Sequence, residues 1–485
     1  MPPTTRKLLA LSQRWLFDPR LWLGVLFLYG LTTLNLPFHD DHQWRQSITA
    51  TIARNFYELS FNPFYPLYDI CGRIAPDYFV TEFPLHPSIT TLGYFIFGEQ
   101  FWVGRLVTWV TSCLGLWYFS RLVDRIAGPP VGLFATLVLT ASIALTFARK
   151  LMPDSFSIFL AVIGTYYLWV YLEDGKRKDL LWGILWATLG VLSKVPSVVV
   201  LCFLGIAFLN GKISLQRKAW VGVGMAFTAV LTAGWYFYWM PHLQELTSCP
   251  PLIYPVSLAE GWDILINERA FHTFYRFEQN AFYSWPQFYL FLTGFGWAII
   301  RLKWRWVLAS LAYAFVFLLF ILKTGDIFAT HTYYVIPFIP LMAFYVGYLF
   351  NRPWLTNAFK LLILLELAFI PLLKTYEDIY LFPDLPELEL ASLLDQVGAE
   401  REDKIMINGG WGNPRYMYYA KRRGWTIDGK TFKRYDWMPD YWDQGLRYIV
   451  VIKSRYEDEL DYPLLLETEH YRIYELEGWI NAQAE

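Results

Sequence analysis

The stretch LWLGVLFLYGLTTLNLPFHDDHQWRQ, residues 21–46, joins a long apolar run to a dense group of polar side chains. The apolar part, Leu21 to Phe38, is about the length that a helix needs to cross a hydrocarbon core roughly 30 Å thick. Two carboxylates, two histidines, a tryptophan and an arginine follow between His39 and Gln46. Charged groups at a membrane surface belong either to a cavity or reaction site, or to an interfacial belt with a helix cap. This stretch alone leaves both interpretations open.

The composition places the chain among membrane proteins. Hydrophobic residues make up 55% of its 485 residues, charged residues 17%, and the mean hydropathy is +0.29. Soluble domains carry about 25% charged residues. A net charge of −1 gives no reason to expect nucleic acid as a partner. The four cysteines lack the spacing of a zinc site, although Cys71 and Cys249 are predicted to face the same compartment, where a disulfide can form.

The distribution of lysine and arginine in the short loops predicts the orientation. The N-terminal flank is basic and is placed in the cytoplasm, with the N-terminus inside and the C-terminus outside an inner or plasma membrane. The segment from Ile89 to Phe97 is too short to cross and is predicted to lie on the membrane surface. About eleven spans are predicted, near residues 21–37, 101–119, 131–147, 155–172, 180–192, 195–209, 220–239, 287–300, 306–322, 333–350 and 359–373.

The composition changes after Lys374. Helices are predicted in PELELASLLDQVGAERED and NPRYMYYAKRRGW, and strands in DKIMINGG, GLRYIVVIK and HYRIYELE. We therefore predict an α-helical polytopic membrane domain over residues 1–380 and a small extracytoplasmic α/β domain over residues 381–485. NGGWGN lacks the spacing of a nucleotide-binding loop and is interpreted as a turn.

With this topology, the unusual polar residues all face the outer compartment. They are Asp40, Asp41, His42, Arg45, Glu82, His86, Arg149, Lys150, Asp154, Lys194, Glu278, Gln279, Lys323 and His331. A cavity with acidic and basic walls suits one type of chemistry. Carboxylates take a proton from an acceptor hydroxyl, while lysine and arginine hold an anionic leaving group such as phosphate.

Several of these residues also have a simpler interpretation. Asp154 follows a proline and can cap a helix, and Lys194 can extend from a hairpin tip to the membrane surface. Glu82 can pair with Arg73 in a surface loop. His331 and Tyr333 can belong to an interfacial belt. The convergence of all these groups on one side favours the cavity.

The ordered set of motifs resembles the polytopic C-type glycosyltransferases that use lipid-phosphate sugars. Within them the chain is most similar to the branch of protein O-mannosyltransferases and lipid A aminoarabinose transferases. The similarity rests on the acidic pair after the first span and on three segments: ARKLMPD (148–154), TLGVLSKVP (188–196) and YYVIPFIPLMA (333–343). The chain departs from the family pattern in two places, with Asp-Asp where the family usually has Asp-Glu, and with EFPLHP where Lys-Pro-Pro or His-Pro-Pro is typical.

The resemblance implies a hexosyl- or pentosyltransferase that moves a sugar from a polyprenyl-phosphate donor to a hydroxyl of a glycan, lipid or protein, at the outer face and with inversion. It implies Asp41 or Asp40 as the general base and Asp154 as a second acidic group. Arg149, Lys194 and His331 would hold the lipid phosphate. The remaining residues expected to contact substrate are His42, Arg45, Glu82, His86, Lys323 and Tyr333.

Two other classes of function stay open. One is a transporter or flippase of a lipid-linked glycan, although the chain shows no internal repeat of the kind found in many transporters. The other is a non-catalytic receptor. No cofactor is required by these motifs. A divalent metal remains an open question, since Asp40, Asp41 and Asp154 offer the oxygen ligands that Mg²⁺ and Mn²⁺ prefer.

Overall fold

The computed structural model describes residues 19–39, 42–72, 77–247, 249, 251, 255–356, 358–360, 362, 363, 365, 366, 369, 373, 385–408, 413–427, 437–456, 459–478 and 480. The chain forms two compact units. The helical unit comprises Met1–Leu36, Gln100–Phe237 and Ile253–Tyr380. The sheet unit comprises Pro37–Glu99, Tyr238–Leu252 and Leu381–Glu485, so the C-terminal residues share it with two earlier segments. The division into residues 1–380 and 381–485 stays a prediction.

The helical unit consists of apolar helices around one continuous hydrophobic core. Its α-helices are α1 (Pro19–Leu31), α4 (Phe101–Ala127), α5 (Val131–Thr140), α6 (Ile143–Ala148), α7 (Pro153–Asp174), α8 (Arg177–Ser193), α9 (Leu204–Phe208), α10 (Leu215–Ala233), α12 (Leu258–Asp263), α13 (Ala270–Tyr275), α14 (Pro286–Ile300), α15 (Trp304–Thr324), α16 (Asp326–Thr330) and α17 (Ile339–Phe350). Among the described residues, 3₁₀ segments cover Val195–Phe203 and Thr332–Phe338, and π-helical segments cover Ile264–Glu268, Arg276–Asn280 and Gly234–Trp239, the last of which runs on into the sheet unit.

The prediction of a largely helical membrane protein is confirmed. Within the described part of the chain, five helices are long and apolar enough to cross a membrane: Phe101–Ala127, Pro153–Asp174, Leu215–Leu246, Trp304–Thr324 and Thr332–Phe350. Shorter apolar helices occur at Arg20–Leu31, Val131–Thr140, Val195–Phe208 and Pro286–Ile300. The count of about eleven spans stays a prediction, and the last of them, near 359–373, is described only in part.

The third predicted span is interrupted. Helix α5 ends at Thr140, and α6 begins at Ile143 after Ser142, whose Oγ accepts a hydrogen bond from the Ala144 N–H at 3.2 Å. The N–H of Ile143 donates to the Ala281 carbonyl at 3.0 Å. Because other protein groups accept hydrogen bonds from these two backbone N–H groups, the chain can leave the helical conformation inside an apolar unit.

Small residues bring α7 and α8 close together. A Cβ added to Gly164 would lie 2.4 Å from the Ala187 nitrogen, and one added to Gly190 would lie 2.8 Å from the Ala161 nitrogen. Close backbone contact between apolar helices needs such residues, because lipid gives helices no hydrophobic reason to associate. This packing matters for the site, since Asp154 lies in the first turn of α7 and Lys194 directly follows α8.

The sheet unit contains helices α2 (Gln43–Glu58), α3 (Leu85–Phe97), α11 (Met240–Leu246), α18 (Leu390–Gln396), α19 (Pro414–Ala420) and α20 (Met438–Asp443), with a 3₁₀ turn at Pro386–Glu389. Its strands in the described residues are β1 (Lys404–Ile407), β2 (Arg423–Thr426), β3 (Leu446–Ile452), β4 (Leu464–Glu467) and β5 (Tyr471–Glu475). The strand order is β2-β1-β3-β5-β4. Strands β2, β1 and β3 are parallel, whereas β5 is antiparallel to β3 and β4.

The sheet has a hydrophobic core on each face. Ile405 and Ile407 pack into one core with α18 and α19, while Met406 between them packs into the other. This alternation follows from the two-residue period of a strand. The predicted strands in DKIMINGG, GLRYIVVIK and HYRIYELE are present, whereas the helix predicted across NPRYMYYAKRRGW ends at Ala420. Lys421 then adopts a left-handed conformation with φ 50°, and β2 begins two residues later.

Candidate functional site

An ion pair between Asp154 and Lys194 lines a cavity in the helical unit. The Nζ of Lys194 lies 2.5 Å from Oδ1 of Asp154, and their side chains are 17% and 6% exposed. Met152 occupies the N-cap position of α7 and its side chain makes no cap hydrogen bond. The interpretation of Asp154 as the helix cap is therefore wrong, because Asp154 lies two residues after the N-cap position. Its carboxylate contacts Lys194 instead.

Aromatic side chains surround the ammonium group of Lys194. Its Nζ lies 5.3 Å from the ring centroid of Tyr333 and 5.5 Å from that of Tyr334. Both distances are within the range of cation–π attraction. His331 stacks on Tyr334 with ring centroids 5.2 Å apart, and its Nδ1 lies 3.0 Å from the Ile327 carbonyl oxygen. Burial, helped by the nearby Lys194, lowers the pKa of His331, so its imidazole is neutral at pH 7.

The cavity is lined by two buried polar oxygens that are not paired within the part of the chain that the structure describes. Among those residues, Oδ2 of Asp154 and Oγ of Ser197 have no hydrogen-bond partner. Such atoms are costly to leave unpaired in an apolar interior, so they mark a place where a polar ligand or water fits. The lining residues are Asp154, Ser157, Ile158, Lys194, Pro196, Ser197, Phe320, Tyr333, Tyr334, Ile336 and Pro337.

Two irregular segments form part of the cavity wall. Pro196 and Ser197 belong to the 3₁₀ segment Val195–Phe203, and Pro337 lies inside the second 3₁₀ segment. Long 3₁₀ segments are uncommon, and their poorer hydrogen bonding needs support from the surrounding protein. Tyr313 gives such support by donating to the Pro337 carbonyl at 2.5 Å.

The other predicted cations of the helical unit are not among the residues that line this cavity. Arg149 is the C-cap residue of α6 and is 5% exposed. Lys150 contacts the ring of Phe147, which in turn packs against Tyr333 with ring centroids 5.2 Å apart. Lys323 is not among the residues that line the cavity; its Nζ donates to the Val256 carbonyl at 2.8 Å.

The sheet unit contains a second group of predicted residues. Arg45 and Glu82 form an ion pair, and each side chain is 10% exposed. Thr81 donates to Glu82 at 2.5 Å, and the guanidinium carbon of Arg45 lies 5.8 Å from the ring centroid of Phe79. Pairing of Glu82 with Arg73 was one interpretation of the sequence; the structure instead assigns Arg45 as the partner, and Arg73 lies outside the described residues.

The histidines of the sheet unit have different environments. His86 lies in the first turn of α3 and is 1% exposed, and burial lowers its pKa to about 3. It is therefore neutral and serves as a hydrogen-bonding group, not as a cation. His42 is the N-cap of α2 and has a left-handed backbone with φ 65°. Asp40 and Asp41, the predicted bases, lie outside the described residues.

The structure thus divides the predicted residues between the two units. Asp154, Lys194 and Tyr333 line one cavity of the helical unit, with His331 beside it. Arg45 and Glu82 pair in the sheet unit. Sequence reasoning missed Tyr334, Ser157, Ser197 and Phe320. Two of them could have been found: Tyr334 directly follows Tyr333, and Ser157 is one helical turn after Asp154.

The cysteines of the described residues do not form a metal site. In the described residues, Cys71, Asp77 and Cys249 offer ligand atoms within 4.8 Å of one another. The sulfurs of Cys71 and Cys249 are, however, joined as a disulfide. They cannot act as the thiolates that bind metals. In the cavity, one carboxylate oxygen of Asp154 is already paired with Lys194. Asp40 and Asp41, the other two carboxylates that the sequence offers as oxygen ligands, lie outside the described residues.

Comparison with known proteins confirms the resemblance predicted from the motifs. The model of the dolichyl-phosphate-mannose-protein mannosyltransferase family matches residues 81–236. This range includes Glu82, His86, Arg149, Asp154 and Lys194. A search of the curated proteins finds no match.

The fold is similar to solved structures over nearly its whole length. The crystal structure of ArnT from Cupriavidus metallidurans in the apo state has 14% identity and a TM-score of 0.61, covering 96% of this chain and 98% of ArnT. The same protein bound to undecaprenyl phosphate has 14% identity and a TM-score of 0.61, covering 93% and 97%. An Archaeoglobus fulgidus oligosaccharyltransferase tethered with an acceptor peptide has 11% identity and a TM-score of 0.51, covering 88% of this chain and 68% of its own.

Proposed function

We propose that this protein is a membrane glycosyltransferase. It transfers a hexosyl or pentosyl group from a polyprenyl-phosphate donor to an acceptor hydroxyl on a glycan, lipid or protein. The observation that carries the proposal is the overlap between the family match at residues 81–236 and the buried cation–carboxylate cavity of Asp154 and Lys194. Similarity of fold to a protein solved with undecaprenyl phosphate supports the class of donor.

The chemistry is a single displacement with inversion. The acceptor oxygen attacks the anomeric carbon, the bond from that carbon to the phosphate oxygen breaks, and the proton of the acceptor passes to a carboxylate. The lipid phosphate leaves with the bonding electron pair. Asp41, or its neighbour Asp40, is the proposed base, and Arg149 and Lys194 stabilise the negative charge on the leaving phosphate.

Lys194 is suited to this role by its surroundings. Its ammonium group is already held by Asp154 and by two aromatic rings, so it needs little reorganisation when an anion arrives. Oδ2 of Asp154 and Oγ of Ser197, which have no partner among the described residues, offer hydrogen-bond positions for hydroxyls of a sugar. His331 is neutral, so we propose that it donates or accepts a hydrogen bond and adds no charge.

The disulfide supports the proposed orientation. Cys71 and Cys249 are bonded in the sheet unit, and disulfides persist mainly in oxidising compartments. We therefore place the sheet unit, the reaction and the C-terminus outside the cytoplasm, with the N-terminus inside. Nothing in the family match or the fold similarity supports the alternative of a transporter or flippase.

The experiment is a donor screen with purified full-length protein in lipid. Labelled polyprenyl-phosphate sugars of hexose and pentose type are offered together with glycan, lipid and peptide acceptors, with and without a chelator, and the free polyprenyl phosphate is measured. We expect one donor class to be consumed, and Asp41→Asn or Asp40→Asn to reduce consumption about 100-fold or more, as expected for loss of a general base. Full turnover in both variants would rule out the acidic pair. Transbilayer movement of the lipid without sugar transfer would favour the transporter.

A further inference from the structure

Helix α3 of the sheet unit has polar side chains inside and apolar side chains outside. Thr90 and Thr91 are fully buried, whereas Leu92 and Ile96 are 52% and 74% exposed. Oγ1 of Thr91 donates to the Ala53 carbonyl of helix α2 at 3.0 Å, so the polar side of α3 is satisfied within the protein. A surface helix in water has the opposite arrangement, with apolar residues toward the core and polar residues outside. The outer side of α3 is therefore suited to apolar surroundings.

A second segment of the sheet unit extends the exposed side of α3. The ring of Phe95 contacts those of Tyr57 and Phe61, with centroids 5.4 and 6.4 Å apart. Phe64 follows three residues after Phe61, and all four rings are exposed. We call this group the apolar surface; its members are Tyr57, Phe61, Phe64, Leu92, Phe95 and Ile96.

The apolar surface carries little charge. Helix α3 contains no Asp, Glu, Lys or Arg in its 13 residues. Glu58, next to Tyr57 in the sequence, is paired with Arg401. Monomeric soluble proteins rarely leave a large contiguous apolar patch uncovered, and such patches mark protein or membrane interaction sites. The occupant of this surface is therefore apolar.

The apolar surface is continuous with a helix of membrane-spanning length. The helical run Leu215–Leu246 is apolar enough to cross a membrane, and only 22% of its most apolar 18 residues are buried within the protein. Its 32 residues extend about 48 Å at 1.5 Å per residue. A hydrocarbon core is about 30 Å thick, so residues near the ends of this helix reach the interfacial layer, where tryptophan and tyrosine are enriched.

Trp239, near the end of that helical run, connects it to the apolar surface. Its Nε1 donates to the Phe64 carbonyl at 2.8 Å, and the two rings have centroids 5.4 Å apart. Tyr65 packs against the same indole with centroids 5.5 Å apart. Because Trp239 belongs to a helix that can span the bilayer, the rings that it contacts lie next to lipid.

We propose that the apolar surface of the sheet unit binds lipid by inserting into one leaflet of the bilayer. Its partner is the boundary between headgroups and acyl chains, into which such surfaces penetrate about 5–10 Å. The contact of Trp239 with Phe64 favours lipid over a protein partner. The sequence predicted a membrane-surface position only for Ile89 to Phe97, and from its length alone. Lipid binding by this surface goes beyond the proposed sugar transfer and does not depend on it.

The test places a fluorescent label on the apolar surface of the full-length protein in phosphatidylcholine vesicles. Ile96→Cys is labelled with nitrobenzoxadiazole in a background of Cys113→Ser and Cys202→Ser. The other two cysteines are joined as a disulfide, so one thiol reacts. Two quenchers are compared: a nitroxide on the lipid acyl chain, and iodide in the water.

Leu465→Cys in the same background is the matched control. Leu465 is 40% exposed and lies in β4, at the edge of the sheet, two residues before Glu467. Glu467 pairs with Lys453, so this part of the sheet unit is charged. We expect the nitroxide lipid to quench the label at residue 96 at least about 2-fold more than the label at 465, because only the first lies among acyl chains. Iodide should show the opposite order.

Stronger quenching by iodide than by the nitroxide lipid at residue 96 would overturn lipid binding. Protection of this label from both quenchers, together with a dimer in size-exclusion chromatography, would show that a second copy covers the surface and would overturn it as well. If Ile96→Cys does not fold, Leu92→Cys replaces it, because Leu92 lies one turn earlier on the same side of α3.

The measurement contains no sugar donor, so its outcome is separate from that of the proposed function. A protein that transfers sugar but has residue 96 open to iodide overturns lipid binding alone. A protein that transfers no sugar but has residue 96 quenched by the nitroxide lipid leaves lipid binding supported and the proposed function refuted.

Discussion

Oδ1 of Asp154 and Nζ of Lys194 are 2.5 Å apart, although the two residues belong to different helices of the apolar unit. Asp154 lies in the first turn of α7, and Lys194 directly follows the last residue of α8. The close packing of α7 on α8 through Gly164 and Gly190 makes this distance possible. Two charges are thus held next to each other, with little access to water, at a cavity that also exposes two tyrosine rings.

We predict that Lys194→Met destabilises the protein by about 3–5 kcal/mol, because it leaves the buried Asp154 carboxylate without a counter-charge. The double variant Lys194→Met with Asp154→Leu should recover much of the stability but no transfer activity. Thermal unfolding in detergent and the donor assay measure the two effects. Arg125→Met is the control, since Arg125 and Glu173 form an ion pair with both side chains about one-third exposed, and its loss should cost less than about 1 kcal/mol. Equal melting temperatures for Lys194→Met and the control would contradict the prediction.

The buried pair of Arg54 and Asp69 should contribute strongly to the stability of the sheet unit. Their side chains are 2% and 3% exposed. We expect Arg54→Met to lower the free energy of unfolding by about 3–5 kcal/mol, as for other buried pairs that lose one partner. Arg401→Met removes the pair with Glu58, whose side chains are 49% and 22% exposed, and should cost less than about 1 kcal/mol. The comparison fails if both variants melt at the same temperature.

The disulfide between Cys71 and Cys249 closes a loop with a sequence separation of 178 residues. Cys71→Ser should therefore lower the stability of the folded protein by about 2–4 kcal/mol, because the unfolded chain regains freedom. Thermal unfolding of wild type with and without reductant measures the same difference. Cys113 and Cys202 are free cysteines of the helical unit, so Cys113→Ser and Cys202→Ser should keep the wild-type response to reductant, whereas Cys71→Ser should lose it. Labelling of four thiols per chain in native membranes, before reduction, would contradict the disulfide.

Asp77 predicts a dependence of stability on pH. Burial raises the pKa of its carboxyl to about 6, against the opposing effects of Arg423 and the Gly72 N–H. In the unfolded chain an aspartate has a pKa of about 3.9. The folded state therefore binds more protons between these values. The stability that protonated Asp77 contributes is complete below about pH 4. This stability, up to about 3 kcal/mol, is lost as the pH rises through about 6.

Asp77→Asn tests this prediction, because asparagine keeps the shape and the acceptor oxygen but does not titrate. The difference in melting temperature between wild type and Asp77→Asn is measured at pH 4.5 and pH 7. We expect wild type to lose stability relative to the variant at the higher pH. A difference that stays constant, or that changes in the opposite direction, would show that Asp77 is ionised in the folded protein at both pH values.

Much of this protein was predictable from local sequence patterns. The apolar runs gave the positions of α4, α7 and α15, because hydropathy over a helix length reports directly on burial in lipid. The buried strand β3 was equally clear from its continuous apolar run. The short strands β2 and β4 were not, since RGWT has no alternation and LLLE lies at an exposed edge of the sheet.

Among the candidate site residues, some were predictable from the sequence and their partners were not. Asp154, Lys194 and Tyr333 were predicted because charged or hydroxyl-bearing groups at the ends of apolar runs are energetically unusual. Their partners could not be predicted. The pairing of Arg45 with Glu82, of Arg54 with Asp69, and of Cys71 with Cys249 depends on contacts between distant parts of the chain.

The sequence by itself determined that this is a helical membrane protein with polar groups at the ends of its apolar segments, because hydropathy and charge are local properties. Only the tertiary structure decided that Asp154 is neutralised by Lys194, that two tyrosine rings face that ammonium group, and that Tyr418 and Tyr419 contact Phe38 and Arg54. These relationships arise from helix packing and from a C-terminal segment folding back on residues near the N-terminus, and no periodicity in the chain encodes them.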